Sequence, residues 1–383
     1  MTQAEHMPES KVAGPATASH RSGEPRGEHV HALALGWLSA LLGLAQTTTG
    51  TFTHDGASAN LEGLACAQYR MLNGGTEGLV YCSEDSDPLL ERVMRGLGFA
   101  EGSVRRLPCA DGRLDAFALA RKVRQDRVAG RCPFAVVANA GTADTGAVDN
   151  LVLLAQVCKA EGLWLHVDGS RGGCAAMTTQ GSKLLRGLVH ADSLALELQQ
   201  PLLQSHPLGC LLLRDRAALD ETRQARHDKA APMAQDVKAL RLWATLKACG
   251  PDIFRQEFAR RMRLADLAEA EIRGSAGWQL ASRSQLGIIT FRFKPAGSAE
   301  HDADRLQAGL AVDAHRKGLA LLSTAYVKGR LALRLCTTHL SIDEPDVRVT
   351  MQWLFRQASC WQSRRWDGPG TQRENGEAAD TMV

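Results

Sequence analysis

Gly162-Leu163-Trp164-Leu165-His166-Val167-Asp168 reads as a short buried strand that closes on a carboxylate. Further on, Ala191-Asp192-Ser193-Leu194-Ala195-Leu196 reads as a second strand and runs into Glu197-Leu198-Gln199-Gln200. Working outward, Phe134-Ala135-Val136-Val137-Ala138 is a continuous apolar run, suited to a strand covered on both faces. Residues 50–53, 79–82 and 209–214 are further strand candidates. Residues 58–72, 88–97 and 149–160 carry helical spacing between them. Alternation of this kind predicts an α/β domain in three layers, with a mostly parallel sheet between helices. Residues 235–272 read as one long helical stretch. After it come a strand at 287–293, a helix at 302–318, a strand at 331–336 and a helix at 343–357, which together predict a smaller α+β domain. The expected division is a tail at 1–28, a large domain at 29–245, a small C-terminal domain at 246–362 and a second tail at 363–383. Both tails are polar and lack apolar periodicity.

The bulk properties exclude several classes of function. A chain of 383 residues can bury a large core, and 44% hydrophobic with 23% charged residues is ordinary for a soluble globular protein. A formal net charge of +3 is too small to argue for nucleic acid or an anionic membrane surface. The ten cysteines are scattered without a Cys-x-x-Cys pair, as in a reduced cytoplasmic protein, and Cys66, Cys174 and Cys210 sit in apolar stretches as small hydrophobes. Residues 32–45 form an apolar stretch too short to span a bilayer. Leu33, Trp37, Leu41 and Leu44 within it fall at helical spacing, so it reads as a helix packed on a core.

Five landmarks in order carry a resemblance. Phe52-Thr53-His54-Asp55-Gly56-Ala57-Ser58-Ala59-Asn60-Leu61 resembles a Thr-Ser-Gly-Gly-Ser-Glu-Ala-Asn-Leu segment, and Ala140-Gly141-Thr142-Ala143-Asp144-Thr145-Gly146-Ala147-Val148-Asp149 an Ala-Gly-Thr-Thr-x-x-Gly-Ala-x-Asp loop. Trp164-Leu165-His166-Val167-Asp168-Gly169-Ser170-Arg171-Gly172-Gly173 is similar to Trp-x-His-Val-Asp-Ala-Ala-(Tyr/Trp)-Gly-Gly. Leu240-Arg241-Leu242-Trp243 and Gly329-Arg330-Leu331-Ala332-Leu333-Arg334-Leu335-Cys336 match later landmarks. Over residues 30–358 the chain therefore resembles the group II pyridoxal-phosphate-dependent amino-acid decarboxylases, of fold type I.

The resemblance implies a cofactor site made of Asp168, Gly56, Ala57, Thr142 and Ser170. Asp168 would pair with the protonated pyridine nitrogen and make the ring an electron sink. The turn at Gly56 and Ala57 would set backbone N–H groups and a helix N-terminus under the phosphate. His166 shares a strand face with Asp168 and is expected to be a packed neighbour rather than a metal ligand.

The departures from the family are as informative as the matches. Its imine-forming lysine, preceded by histidine, falls on Gln199-Gln200, and an amide nitrogen cannot form an imine. The histidine that stacks on the ring falls on Asp87, the aromatic after the aspartate on Arg171, the first glycine of the phosphate turn on Asp55 and its serine on Ala57. Lys183, Lys229 and Lys238 are the nearest replacement amines and are expected at the surface. His206 lies in a turn as a candidate proton carrier. The front of the chain and the connection over residues 214–235 look short for the family.

The expected function is a catalytically impaired or inactive homologue with no catalytic residue of its own and any pyridoxal 5'-phosphate held non-covalently. The alternatives are an active carboxy-lyase on an unidentified amino acid and a regulatory partner of an intact decarboxylase. A homodimer, or a heterodimer with a related decarboxylase, is the expected assembly, with no nucleic acid and no membrane. Asp168, Gly56, Ala57, Thr142, Ser170 and Gln200 are expected to converge on one cleft at the carboxyl ends of the parallel strands.

Overall fold

The computed structural model describes residues 26–226, 232–319, 321–339 and 341–363. The expected tails at 1–28 and 363–383 and the position of Lys229 fall almost wholly outside them. Two compact units emerge: Met1–Thr142 with Ala147–Phe258, and Ala143–Gly146 with Ala259–Val383. The division in sequence thus lies within a helix rather than at residue 245, and the four-residue segment Ala143–Gly146 groups with the second unit.

The first unit begins with helix α1 (Arg26–Leu41), strand β1 (Thr49–Thr53), α2 (Gly56–Leu72), β2 (Leu79–Ser83), α3 (Leu89–Gly96) and β3 (Val104–Leu107). A small hairpin of β4 (Cys109–Ala110) and β5 (Arg113–Leu114) follows, then α4 (Ala116–Val128), β6 (Pro133–Asn139), α5 (Leu151–Glu161) and β7 (Trp164–Gly169). The unit continues through α6 (Thr179–Leu184), β8 (Ser193–Glu197), β9 (Gly209–Leu213), α7 (Arg216–Ala225), α8 (Pro232–Cys249) and the start of α9 (Pro251–Arg273). Seven strands form one sheet in the order β1-β9-β8-β7-β6-β2-β3. The pairs β8–β7, β7–β6, β6–β2 and β2–β3 are parallel, while β9 runs antiparallel to both β1 and β8. The expected α/β architecture is the observed one, and β7 is the central strand.

Within the sheet β2, β6 and β9 are buried along their whole length, as continuous apolar runs require. Cys66, Cys174 and Cys210 are buried, as the apolar stretches around them imply. Helix α2 lies across β7, β8 and β9, and its Gly63 permits a close approach. A Cβ there would fall 2.5 Å from Cε1 and 2.7 Å from Nδ1 of His166. Neither ring atom can yield, because the imidazole is fixed at both nitrogens. Gly63→Ala is therefore expected to cost about 1–3 kcal/mol by overpacking, read as a lower urea midpoint at unchanged slope.

The residues following β9 are not a bare connection. Asp215 caps α7 by accepting from the Ala217 amide at 3.0 Å, so a helix occupies the stretch read as a short link. The long helical stretch over 235–272 is two helices, broken at Gly250, whose φ of +74° is a left-handed conformation suited to glycine.

The second unit contains most of α9, then β10 (Trp278–Gln285), β11 (Ile288–Phe293), α10 (Glu300–Arg316), β12 (Leu322–Val327), β13 (Arg330–Cys336) and α11 (Glu344–Ser363). Its antiparallel sheet has the order β10-β11-β13-β12. Trp278, Phe291, Phe293, Leu310, Leu333 and Met351 build its core. Among the described residues, no helix is long and apolar enough to cross a membrane.

Candidate active site

Strands β1, β2, β6, β7 and β8 all point their carboxyl ends to one edge of the sheet, and a cavity of about 300 Å³ opens there. This is where open α/β sheets place ligands. Gly56, Ala57, Asp168 and Ser170 all line it, together with Asp87, Arg171 and His166. Two of the six expected residues do not. Thr142 is turned into its own loop, where its amide donates to the Ala147 carbonyl at 2.9 Å and its hydroxyl accepts from the Ala147 amide at 3.1 Å. Gln200 stands half-buried in the turn after β8 and does not line the cavity. The β8 residue that does is Glu197, which the sequence reading passed over. The alternation Ser193-x-Ala195-x-Glu197 would have placed it on one strand face.

His166 is built into the floor of the site. Its Nδ1 lies 2.7 Å from Ser193 Oγ and its Nε2 lies 2.8 Å from Asn60 Oδ1. Trp164 Nε1 also donates to Ser193 Oγ at 2.7 Å, so the single hydroxyl proton is left for His166 Nδ1. Nε2 then carries the ring proton and donates to Asn60. Every nitrogen of this neutral tautomer is satisfied, which makes His166 a packed neighbour as expected. Burial pulls its pKa down to about 4, against the raising effect of Asp168. Because the folded value lies below the ordinary 6.5, His166 stabilises the fold fully above that pH, and the contribution is lost as pH falls through about 4. In ¹⁵N NMR the ring is expected to keep its neutral pattern at pH 5.5. A protonated pattern there would refute the assignment.

Asp168 ends β7 half-buried. One oxygen, Oδ1, accepts from the Ser170 amide at 3.0 Å and the Ser170 hydroxyl at 2.5 Å. Beside it Asn139, at the end of β6, donates from Nδ2 to Ser86 Oγ at 2.9 Å and to Asp149 Oδ2 at 3.2 Å. Asp149 in turn accepts the amides of Asn139 and Leu114, each at 2.7 Å. Burial pushes its carboxyl up to about 6, and these same bonds act to lower it.

The turn into α2 is held by two carboxylates. Asp55 Oδ1 accepts from both the amide and the hydroxyl of Ser58 at 2.7 Å. Glu197 Oε2 accepts from the Gly56 amide at 2.9 Å, and Oε1 from the Gln199 amide at 3.1 Å. Burial acts to raise Asp55, but the two Ser58 bonds and the charges of His54 and Lys238 bring it below the usual carboxylate range. Asp87 caps α3, accepting from Leu89 N at 2.8 Å. The cavity wall thus carries four carboxylates, Asp55, Asp87, Asp168 and Glu197, against one guanidinium, Arg171. Leu64, Leu89, Leu90, Val93 and Val137 supply the apolar remainder.

The candidate replacement residues lie elsewhere. Lys183 is exposed, as expected. Lys238 is not a plain surface lysine: it is half-buried, and burial lowers its ammonium pKa against the opposing pull of Asp55. It shares a second cavity of about 330 Å³ with His206, an exposed side chain whose Nδ1 lies 2.8 Å from Ser205 Oγ.

The pyridoxal-dependent decarboxylase conserved domain matches residues 24–294, and the chain belongs to that family. An aromatic-L-amino-acid decarboxylase of Bacillus atrophaeus is 32% identical over 330 residues, covering 81% of this chain and 69% of its own length. An L-2,4-diaminobutyrate decarboxylase of Rhizobium meliloti is 30% identical, and there the chain spans 64% of the relative's length. The crystal structure of Oryza sativa TDC with PLP and tryptamine shares the fold, with a TM-score of 0.81 at 22% identity over 88% of this chain and 77% of that one.

The family implies pyridoxal phosphate, and the residues present fit it at one end only. Asp168 suits a protonated ring nitrogen. The phosphate end does not fit, because the Gly56 and Ser58 amides at the head of α2 already bond the carboxylates of Glu197 and Asp55. Two like unit charges about 4 Å apart repel by roughly 4 kcal/mol at an effective dielectric constant near 20. A phosphate dianion would meet that repulsion from both sides.

Proposed function

We propose that this chain is a decarboxylase-family protein that does not turn over amino acids with pyridoxal phosphate. The observation that carries the reading is the acidic head of α2, where Glu197 and Asp55 take the amides a cofactor phosphate needs. Three sequence departures support it: Gln200 at the imine position, Asp87 at the ring-stacking position and Arg171 for the aromatic after Asp168. What the chain's own groups do is hold a neutral His166, a self-bonded Asp168 and a capped helix around a cavity of about 300 Å³. Assembly as a homodimer, or as a heterodimer with a related lysine-bearing decarboxylase, belongs to the same reading, and co-purification from a strain expressing both would separate the two.

The test is a visible absorbance scan of the purified protein with added pyridoxal phosphate, followed by borohydride and peptide mapping. The expected result is no visible band beyond free cofactor and no trapped lysine. A stoichiometric adduct on any lysine would overturn the reading, and an adduct on the half-buried Lys238 would mean that the chemistry had moved.

A further inference from the structure

We infer that Glu197 is the chain's own occupant of the anion seat at the head of α2, an internal carboxylate fixed where the family places a phosphate. The inference deepens the proposed function and rests on it. A helix of seventeen residues presents unpaired N–H groups and the positive end of its dipole at the N-terminus, a position that favours an anionic partner. Here the partner comes from β8, 141 residues away in sequence, through the 2.9 Å bond from the Gly56 amide. The other carboxylate oxygen is held by the Gln199 amide, so the side chain is pinned at both ends of its head group.

The turn at Gly56 is also closely packed. A Cβ added at Gly56 would fall 2.7 Å from the Ser170 Cβ and 3.4 Å from the Glu197 Cβ. That packing leaves no room for a side chain at residue 56 and holds the turn close against Ser170 and Glu197. Asp55, the N-cap of the same helix, takes Ser58 N and Oγ, so a second carboxylate sits at the turn. The arrangement gives the N-terminus of α2 an anionic partner from the chain itself. It predicts that phosphate-bearing ligands are refused at this edge of the sheet because a resident charge already sits there.

The experiment uses the full chain and inorganic phosphate as the probe, read by thermal denaturation and by the Gly56 amide resonance in ¹H–¹⁵N NMR. Wild-type protein is expected to show no saturable phosphate response in either. Glu197→Ala empties the seat, and its phosphate affinity is expected to rise on the order of tenfold or more, since one opposing charge is gone. Adding Asp55→Gly should raise it further. Glu197→Gln keeps the length and removes only the charge. It should move the Gly56 amide upfield and give a smaller gain in affinity, which covers the case in which Glu197→Ala does not fold. Pyridoxal, which lacks the phosphate, should not distinguish any variant from wild type.

Saturable phosphate binding by the wild type, or no gain in a folded Glu197→Gln or Glu197→Ala protein, would overturn the inference. Because inorganic phosphate needs no lysine, this outcome is separate from the borohydride test. A wild type that traps pyridoxal phosphate on a lysine yet ignores inorganic phosphate would sink the proposed function and leave the internal carboxylate standing.

Discussion

Supplied with pyridoxal phosphate and an aromatic L-amino acid, the unmodified protein is expected to release carbon dioxide at a rate indistinguishable from that of free cofactor. Ordinary enzymes turn over at about 10 per second, and positioned proton transfer alone contributes roughly 10²–10⁴-fold to such rates. On the proposed reading, with Gln200 at the imine position and Asp87 at the ring-stacking position, this chain offers neither a pre-formed lysine adduct nor a ring-facing imidazole. A deficit of about 10⁴-fold or more against ordinary turnover is therefore the expected measurement in a ¹⁴CO₂ release assay. Gln200→Lys alone should recover little of the rate, because residue 200 does not line the cavity and Asp87, Arg171 and the Glu197 carboxylate remain. Turnover by the wild type within the ordinary range would remove the premise.

The largest stability effect is expected at Asp149. Its carboxylate accepts from Leu114 N, Asn139 N and Asn139 Nδ2, all inside the fold. Asp149→Ala strands these donors in a buried site, at roughly 1–3 kcal/mol for each donor left unpaired. A total loss of about 3–5 kcal/mol is expected, read by urea denaturation. Asn139 also lines the cavity, so the variant should loosen the carboxyl end of β6 as well. The pH dependence carries its own signature. Asp149 titrates at about 6 in the fold against an ordinary 3.8, so its protonated form is the better bound. The stability this contributes is full below 3.8 and is lost as pH rises through about 6. Asp149→Ala should remove that slope and leave the His166 contribution, which has the opposite sign over nearly the same range. A variant that kept both the midpoint and the wild-type slope would show that Asp149 is not the clamp described.

Which strands were legible in the sequence follows from where they lie in their sheets. Interior strands such as β6, β7 and β9 announce themselves because both faces are buried and the run is mostly apolar, interrupted only by residues such as Asn139, His166 and Asp168 near the site. In the two main sheets the strands passed over, β3, β10 and β12, are all edge strands. Their half-exposed sequences, with burial confined to single positions such as Leu107 and Trp278, carry no continuous apolar signal. The hairpin of β4 and β5 is only two residues a side.

The site divides along the same line. Residues that act through their own local backbone could be read from sequence order: Asp168 at the end of β7, the Gly56 turn and the Asp87 substitution. What the fill of the phosphate seat would be was not legible. It depends on β8 lying beside β7, on α2 crossing both strands, and on the reach of one glutamate across 141 residues of sequence. Sequence by itself determined the family and the central parallel sheet, because those reside in local pattern. Only the tertiary structure decided that Glu197 accepts the Gly56 amide, that Thr142 turns away and that Lys238 is half-buried, because each is set by which distant side chain arrives first at a shared hydrogen-bond donor or a shared volume.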